Sequence, residues 1–400
     1  SAGLVHVVTP GTGGTVTAPA TGQTFASNPS GDVTITPAAI TAITNTGTAV
    51  VLQANNDITL NPGSDIVTST SGPGGALTLQ AGRSILLNSS IITDNGNLTL
   101  IANDTLASGV VTANRDAGAA LIAMAAGTLL DAGSGAISIT LADGAGRTGA
   151  QTSGNISLAS VATTGSLSVR NNGLILGSNV LASGSLKAAS VTLSAATGAL
   201  GSSTAPLEIA ATGLNANASS GIYLNTNSAS PAMVTVNTLT NVSTGDIVMN
   251  AHGGATFTSL VTNPGGNVSI TTFSPLDVNA GISAGNSIFL TTSGTPGTNN
   301  MSLNGPYTYG TNGTFAVTIG PLGQLTLFGS TPPLVLTSAL FPNPPNITNF
   351  TFVPSEPDPA FLQTSINSIN QSTKFDSDNG LGESGKKDKD SEKKGVAVCK

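Results

Sequence analysis

The sequence has little charge, no tryptophan and a single cysteine. Charged residues make up 8% of its 400 residues, and the formal net charge is −7, whereas globular domains carry about 25% charged residues. No basic groove with interleaved aromatic residues is present, which argues against binding of nucleic acid. Hydrophobic residues make up 39% of the chain, and this fraction, together with the low net charge, argues against a disordered body.

Long hydrophobic runs are also absent. The longest largely apolar run spans 119–130, whereas a membrane-spanning helix needs about 20 residues, so we predict no transmembrane segment. No signal peptide begins at Ser1, and we expect any export signal to have been removed or to lie upstream. The single cysteine, Cys399, excludes an intramolecular disulfide framework.

Residues that support catalysis or cofactor binding are scarce. The two histidines, His6 and His252, have no neighbouring ligand at metal spacing, and no Gly-Lys-Ser/Thr phosphate loop occurs. We therefore predict no catalytic, cofactor or metal site. One alternative stays open: stacking of turns could bring Asp94, Asp116 and Asp131 together, and glycosidases need two carboxylates that flank the scissile bond.

What the chain does contain is one short phrase that recurs along most of its length. Gly or Asn leads into two apolar residues that flank a single residue, which is usually Thr or Ser. Clear copies lie at 31–35, 56–60, 75–79, 96–100, 135–139, 154–158, 245–249 and 266–270. Repetition of this kind is the sequence pattern of a stacked repeat architecture.

The phrase predicts short strands stacked into a solenoid. Its period of two is typical of a half-buried strand, and one such strand cannot bury its apolar face alone. Copies are spaced by 19 residues from Ile58 to Leu77 and by 21 from Leu77 to Leu98, and the 39 residues from Leu98 to Ile137 count as two steps. The sequence therefore predicts an all-β parallel β-helix (β-solenoid) with almost no helix, coils of about 20 residues and on the order of 16 turns.

The alternation also predicts which side chains form the core. Thr, Ser and Asn should point outward, where neutral side chains can stack without the repulsion of like charges. The following residues should point inward: Ile58, Leu60, Leu77, Leu79, Leu98, Leu100, Ile156 and Leu158.

Composition divides the chain into three segments. Residues 1–330 form the repeat body. Residues 331–360 are rich in Pro and Phe, and because proline cannot donate to a strand ladder we predict a C-terminal cap or linker there. Residues 361–400 hold seven of the twelve Lys and Arg residues and predict a charged flexible tail that ends near Cys399, a residue available for an intermolecular link or anchor.

Aromatic residues and glycosylation sequons are two further patterns. Ten of the eleven phenylalanines lie beyond residue 250; we interpret them as stacked core residues, with an exposed sugar-binding strip as the alternative. Asn-x-Ser/Thr sequons begin at Asn88, Asn97, Asn103, Asn155, Asn217, Asn241, Asn267, Asn300, Asn312, Asn346, Asn349 and Asn370. An Asn turn before an apolar–Thr strand generates this motif by itself, although an exported protein can be modified there.

The repeat phrases resemble a known family. The segments 50–60, 77–85 and 94–102 are similar to the repeat region of filamentous haemagglutinin-like exoproteins of bacterial two-partner secretion, and the resemblance covers most of residues 30–300. It implies a right-handed parallel β-helix, export through an outer-membrane secretion pore, and roles in adhesion or biofilm. The family's N-terminal secretion domain is not visible in this sequence, and no catalytic residue follows from the resemblance.

Three functions compete at this stage. The favoured one is a non-enzymatic extracellular structural protein, an adhesin or surface-filament subunit that contacts host or bacterial surface glycans or proteins. The alternative is a carbohydrate-active β-helix enzyme. An ice-binding solenoid is a third, based on Thr-x-Thr strands such as 34–36.

The first strand predicts an assembly edge. Leu4, Val5, Val7 and Val8 form an apolar strand at the start of the chain, and an open solenoid end presents unpaired backbone groups. We therefore expect self-association into filaments through this edge.

Overall fold

The computed structural model is an all-β solenoid in which the named strands pair in parallel. It describes residues 5–7, 24–26, 32–145, 152–177, 186–294, 300–319, 324–327, 346–348 and 351–352. Helix accounts for only 5% of the structure. The predicted fold class, an all-β parallel β-solenoid with almost no helix, is therefore confirmed.

The strands form three sheets, and the turns up to Gly177 visit all three. The long sheet has 16 strands: Val50–Ala54, Leu77–Ala81, Leu98–Ala102, Ile137–Leu141, Ser166–Asn171, Ser190–Ala195, Gly213–Ala218, Val234–Asn241, Ala255–Phe257, Val261–Asn263, Leu276–Val278, Ile282–Ala284, Met301–Leu303, Tyr307–Thr308, Gln324–Leu327 and Thr351–Phe352. The short sheet has seven: Val5–Val7, Val33–Ile35, Ile58–Leu60, Ile85–Leu87, Ala120–Met124, Ser153–Leu158 and Ile175–Gly177. The middle sheet has 12: Ile66–Val67, Ile91–Ile92, Leu129–Asp131, Ser160–Ala162, Leu186–Lys187, Leu207–Ala210, Ile222–Thr226, Ile247–Ala251, Val268–Thr272, Ile288–Thr292, Phe315–Ile319 and Asn346–Thr348.

The alternation within each strand builds the core. In Leu77–Ala81 the first, third and fifth residues are buried and the two between them are half-buried, as expected for side chains that alternate across a strand. All eight predicted core residues, from Ile58 to Leu158, have 0–1% of their surface exposed. This part of the prediction is confirmed.

The predicted turn length was too short. A turn contains about 24 residues, and the described body has about 10 turns instead of the expected 16. Part of the error is that copies of the phrase occur on more than one face: Ile58 stacks on Ile85 and not on Leu77. A second part is that Leu98 pairs directly with Ile137, so the 39 residues between them form one long turn instead of two.

The three faces exchange roles near the middle of the chain. Leu200 bridges Ile175, at the end of the short sheet, to Ile222 in the middle sheet. In the long sheet, the strand Val234–Asn241 pairs through its first half with Ala255–Phe257 and through Thr240 with the strand Val261–Asn263. The short face therefore merges into the middle sheet while the long sheet divides, and later turns keep three faces.

A helix, α1 (Pro37–Thr44), lies beside the first strands of the long and middle sheets. Thr36 caps its N-terminus by accepting a hydrogen bond from Ala39 N at 3.2 Å, and the proline follows the preference for the first helical turn. Ile40 is buried against the core, and Thr44 hydroxyl contacts that of Thr68 at 2.7 Å. The sequence analysis did not predict this helix, because its eight residues contain only two large apolar side chains, Ile40 and Ile43, and these give too weak a helical period.

The outer strand of the short sheet among the described residues is Val33–Ile35. Val5–Val7 pairs with it on one side and with Ile58–Leu60 on the other. The predicted assembly strand is thus paired on both sides, and the described edge of this sheet lies one strand further out. Leu4 and Val8 lie outside the described residues.

The C-terminal segments fall mostly outside the described residues. Within the predicted cap, 331–360, the strands Asn346–Thr348 and Thr351–Phe352 each add to a sheet. The predicted tail, 361–400, lies outside the described residues together with Cys399, so the proposed cap and tail remain predictions. Across the part of the chain that the structure describes, no helix has the length and hydrophobicity needed to cross a membrane.

Candidate functional site

The described histidines do not mark a site. His6 lies in the strand Val5–Val7, where its backbone is in register with Thr34 and Thr59, and His252 is an exposed residue. Within the described ranges, no three His, Cys, Asp or Glu side chains come close enough to hold a metal ion.

One corner between the long and short sheets concentrates charge. Arg83 Nε donates to Asp57 Oδ1 at 2.8 Å, and its NH2 group donates to Asp57 Oδ2. Asp57 also accepts the backbone N–H of Ser84 at 2.9 Å, and Asp116 Oδ2 lies 3.8 Å from Arg83 NH1. The hydrogen bond to Asp57 raises the pKa of Arg83 against the opposing effect of burial, and both carboxylates add to the rise. The cluster therefore holds a permanently charged guanidinium between two carboxylates, and these contacts indicate a structural role.

The long turn between Leu98 and Ile137 contributes further side chains to this cluster. Arg115 is 5% exposed; its Nε donates to Gly82 O at 2.8 Å, and its NH2 donates to Asn103 Oδ1 at 3.0 Å. Asn56 Nδ2 donates to Asp116 Oδ2 at 2.8 Å. These bonds fasten the inserted residues over the corner. Arg115 also donates to the backbone carbonyls of Asp116 and Gly118 in the insert, and its side chain is almost completely buried.

The three carboxylates of the alternative hydrolase reading separate into two places. Asp116 belongs to the corner between the long and short sheets. Asp94 accepts Thr70 N at 2.7 Å, and Asp131 accepts Gly133 N at 2.8 Å, both at the corner between the middle and long sheets. Stacking therefore does not bring the three onto one corner, and each holds a backbone N–H or an amide.

The middle sheet presents a regular outward ladder between residues 207 and 319. Register pairs Glu208 with Asn225, Asn225 with Asn250, Asn250 with Thr271, Thr271 with Thr291 and Thr291 with Thr318. Asn225 Nδ2 donates to Glu208 Oε1 at 2.6 Å, and Asn250 Nδ2 donates to Asn225 Oδ1 at 3.1 Å. The polar column, Glu208 to Thr318, is therefore a continuous line of uncharged donors and acceptors that begins at one carboxylate.

An apolar column runs beside the polar column, two residues earlier in each strand. It stacks Tyr223, Val248, Ser269, Phe289 and Ala316, and Ser269 is the one polar residue that interrupts it. Phe289 is 39% exposed, and Tyr223 and Val248 are half-buried. Neighbouring strands lie about 4.8 Å apart, and residues two apart on one strand are separated by about 6.6 Å. The two columns place mostly ring and methyl groups beside amides and hydroxyls, and we call this surface the two-track face.

The long sheet carries a second ordered column, made of hydroxyls. Thr78, Thr99, Ser138, Ser168 and Thr192 stack in direct register. The neighbouring outward column is irregular, and it holds Gln80, Ile101, Thr140, Arg170 and Ser194. The Thr-x-Thr example at 34–36 does not give two outward threonines, because Thr36 caps α1. A flat array of paired threonines, as an ice-binding face needs, is not formed at these positions.

The aromatic residues after 250 divide between core and surface. Tyr307, Phe257 and Phe315 are buried, with the Tyr307 and Phe315 ring centroids 5.4 Å apart. Phe273 is 43% exposed and Phe289 is 39% exposed. Tyr307, Phe257 and Phe315 therefore fit the interpretation of aromatic residues stacked in the core. Phe273 and Phe289 fit the alternative of an exposed aromatic strip.

Sequence reasoning missed the two-track face. Its signal was present: the fourth residue of the strands that begin at 222, 247, 268, 288 and 315 is Asn, Asn, Thr, Thr and Thr. Finding it required the strands of one face to be aligned with each other, and the phrase search mixed strands of different faces. Comparison of the chain with protein-family models, with curated proteins and with solved structures gives no match. The likeness to filamentous haemagglutinin-like exoproteins therefore rests on the repeat phrases, and the structure adds a compatible β-solenoid.

Proposed function

We propose that this chain is a non-enzymatic extracellular structural protein, a rigid β-solenoid that adheres to surface glycans through its sheet faces. The observation that carries the proposal is the two-track face on the middle sheet. Saccharides present hydroxyl edges and apolar C–H faces. The amides and hydroxyls of the polar column can bond to the former, and the rings of the apolar column can bury the latter.

The arrangement of charge supports a structural role over catalysis. Arg83 and Asp57 bind each other, Arg115 binds backbone carbonyls, and Glu208 accepts hydrogen bonds from Asn225 and Ser228. A glycosidase would instead hold two carboxylates at a fixed separation across an open surface. Export through an outer-membrane pore belongs to the same proposal and follows from the resemblance of the repeats. Filament formation also belongs to it and follows from the expected open end of the solenoid, where Val33–Ile35 is the outer strand of the short sheet among the described residues.

Binding of the purified chain to a glycan array tests the proposal. We expect Phe289→Ala combined with Asn250→Ala to weaken binding at least tenfold, because it removes adjacent members of both columns. The matched control is Val51→Ala, which truncates a residue equally exposed at 39% but placed on the long sheet. Equal losses from both variants, or no glycan binding by the unaltered chain, would overturn the adhesive role.

A further inference from the structure

The structure separates the Asn-x-Ser/Thr sequons into accessible and enclosed sites. In the folded chain a glycan can be carried only by an asparagine whose Nδ2 reaches solvent, because buried amides are committed to hydrogen bonds. The described sequons differ sharply in this respect, although their sequences are of the same kind.

Two sequons are enclosed by the core. Asn103 is fully buried, accepts a hydrogen bond from Arg115 and donates to Ala142 O at 3.2 Å. Asn241 is also fully buried; its Nδ2 donates to Thr244 O at 2.8 Å and to Asn263 Oδ1 at 2.9 Å. A sugar on either nitrogen would displace these bonds and fill space occupied by the next turn, so neither site can be modified in the folded protein.

Five described sequons have the opposite geometry, because their asparagine is exposed: Asn88, Asn97, Asn155, Asn300 and Asn312. At Asn97 the side-chain oxygen accepts Ala136 N at 2.9 Å, and in the sequon of Asn88 the hydroxyl of Ser90 accepts Leu129 N at 3.1 Å, so both sequons take part in the stacking of turns. Asn300 borders the undescribed residues 295–299.

Asn155 is exposed and directly precedes the alternating part of the strand Ser153–Leu158. It lies at the point where the register of this strand with Ala120–Met124 shifts. Asn312 is exposed in a turn, and the hydroxyl residue of its sequon, Thr314, is also exposed. The hydroxyl residue of the first site, Ser157, is half-buried on the outward face of its strand.

We propose that Asn155 and Asn312 are sites of N-linked glycosylation, an inference that rests on the proposed extracellular role. The sugar donor would be a glycosyl diphosphate, either nucleotide-linked or lipid-linked. The amide nitrogen forms a bond to the anomeric carbon, the bond from that carbon to the diphosphate oxygen breaks, and the nitrogen loses one proton. The diphosphate leaves with the bonding electrons, so no oxidant or reductant is needed.

The site at Asn155 also fits the surface around it. The body has very few charged side chains to keep its faces soluble, and flat uncharged sheets are prone to associate. A hydrated glycan at Asn155, on the short sheet, leaves the middle sheet uncovered. Modification at this site is therefore compatible with the two-track face as a binding surface.

Peptide mapping by mass spectrometry of the protein isolated from its native source tests the inference. We expect a glycan mass on the peptides that contain Asn155 and Asn312 and none on those that contain Asn103 and Asn241. A single sugar would identify a nucleotide-linked donor, and an oligosaccharide transferred as one unit would identify a lipid-linked donor.

Variants of the sequon hydroxyl provide the control, since they leave the asparagine in place. Ser157→Ala should abolish modification of Asn155, and Ser157→Thr should retain it. Unmodified Asn155 and Asn312 in protein recovered outside the cell would overturn this inference and leave the proposed function standing. Recovery of the protein only inside the cell would instead overturn the proposed function. A glycan on Asn103 or Asn241 would show that the burial criterion is wrong.

Discussion

An early and a later corner of the solenoid solve the same structural problem with different chemistry. At both corners the chain must bend sharply between sheets and bury polar backbone groups at the bend. The early corner uses the ion pair of Arg83 and Asp57 and the buried Arg115. The late corner uses amides: Asn241 Nδ2 donates to Asn263 Oδ1 at 2.9 Å, and Asn263 Nδ2 donates to Asn267 O at 2.7 Å.

The difference shows which corner can repeat. A primary amide has both donors and an acceptor, so identical asparagines can bond to one another in successive turns without repulsion. A cation cannot stack on a cation, because like charges placed opposite each other destabilise neighbouring strands. Among the described residues the ionic corner occurs once, and it needs the 39-residue turn to supply Arg115 and Asp116. The amide corner links two successive turns through Asn241 and Asn263, and alanines occupy the register positions on either side of this pair.

The cores of the two regions are built by the same alternation of buried and outward side chains. Substitutions in these cores should have the largest effect on stability. Leu98 and Leu290 are both fully buried in strands of the same alternation. Leu98→Asp and Leu290→Asp each place an unpaired carboxylate in the core, and each should lower the free energy of unfolding by more than ~4 kcal/mol. Thermal unfolding followed by circular dichroism would measure both.

Outward neighbours supply the control for this pair. Thr99→Asp and Thr291→Asp put the same charge on the solvent side of the same strands and should cost less than ~1 kcal/mol. Tolerance of Asp at only one of the two core sites would break the comparison, since it would show that one region is not continuous with the core.

Such buried positions could be predicted from sequence because alternation alone fixes the face of each residue. Spacing between turns could not be predicted in the same way. Leu98 and Ile137 are stacked neighbours, yet the inserted residues between them carry no repeat phrase and their placement depends on Arg115 and Asn56. The two-track face needed the register, which only the pairing of distant strands defines.

Substitution of a glycine in close backbone contact at the late corner should have the next largest effect on stability. A Cβ at Gly265 would overlap the carbonyl oxygen of Ser243 in the preceding turn, and neither group belongs to a flexible side chain. Gly265→Ala should therefore cost about 2–4 kcal/mol. At Gly213 a Cβ would meet Ser190 Cβ at an ordinary 3.6 Å, so Gly213→Ala should be neutral within ~1 kcal/mol. Chemical denaturation of the two variants tests the contrast, and similar midpoints would contradict it.

The two corners should also differ in their response to salt. The side chains of Arg83 and Asp57 are 23% and 9% exposed, so their attraction is partly screened by ions, whereas the amides of Asn241 and Asn263 carry no charge. Asp57→Asn should cost about 1–2 kcal/mol in low salt and less in 1 M salt, since it removes an ion pair but keeps a similar shape. Asn263→Ala should cost about 2 kcal/mol at both salt concentrations. If the loss of stability in Asp57→Asn did not depend on salt, the early corner would stabilise the fold through its hydrogen bonds alone.

The aromatic core of the late region gives the smallest effect at neutral pH and a larger one in alkali. Burial raises the pKa of Tyr307 well above its ordinary value of 10, with partial opposition from the backbone of Asn304. The folded state therefore holds this proton more tightly than the unfolded chain, so its contribution to stability is constant below pH 10 and is lost as the pH rises above 10. Tyr307→Phe should change stability by less than ~1 kcal/mol at pH 7 and should weaken the fall in melting temperature above pH 10. Tyr309→Phe is the control, because Tyr309 belongs to the same aromatic cluster but is only partly buried, and this variant should keep the fall in melting temperature above pH 10. If Tyr307→Phe left the alkaline profile unchanged, other groups would govern alkaline unfolding.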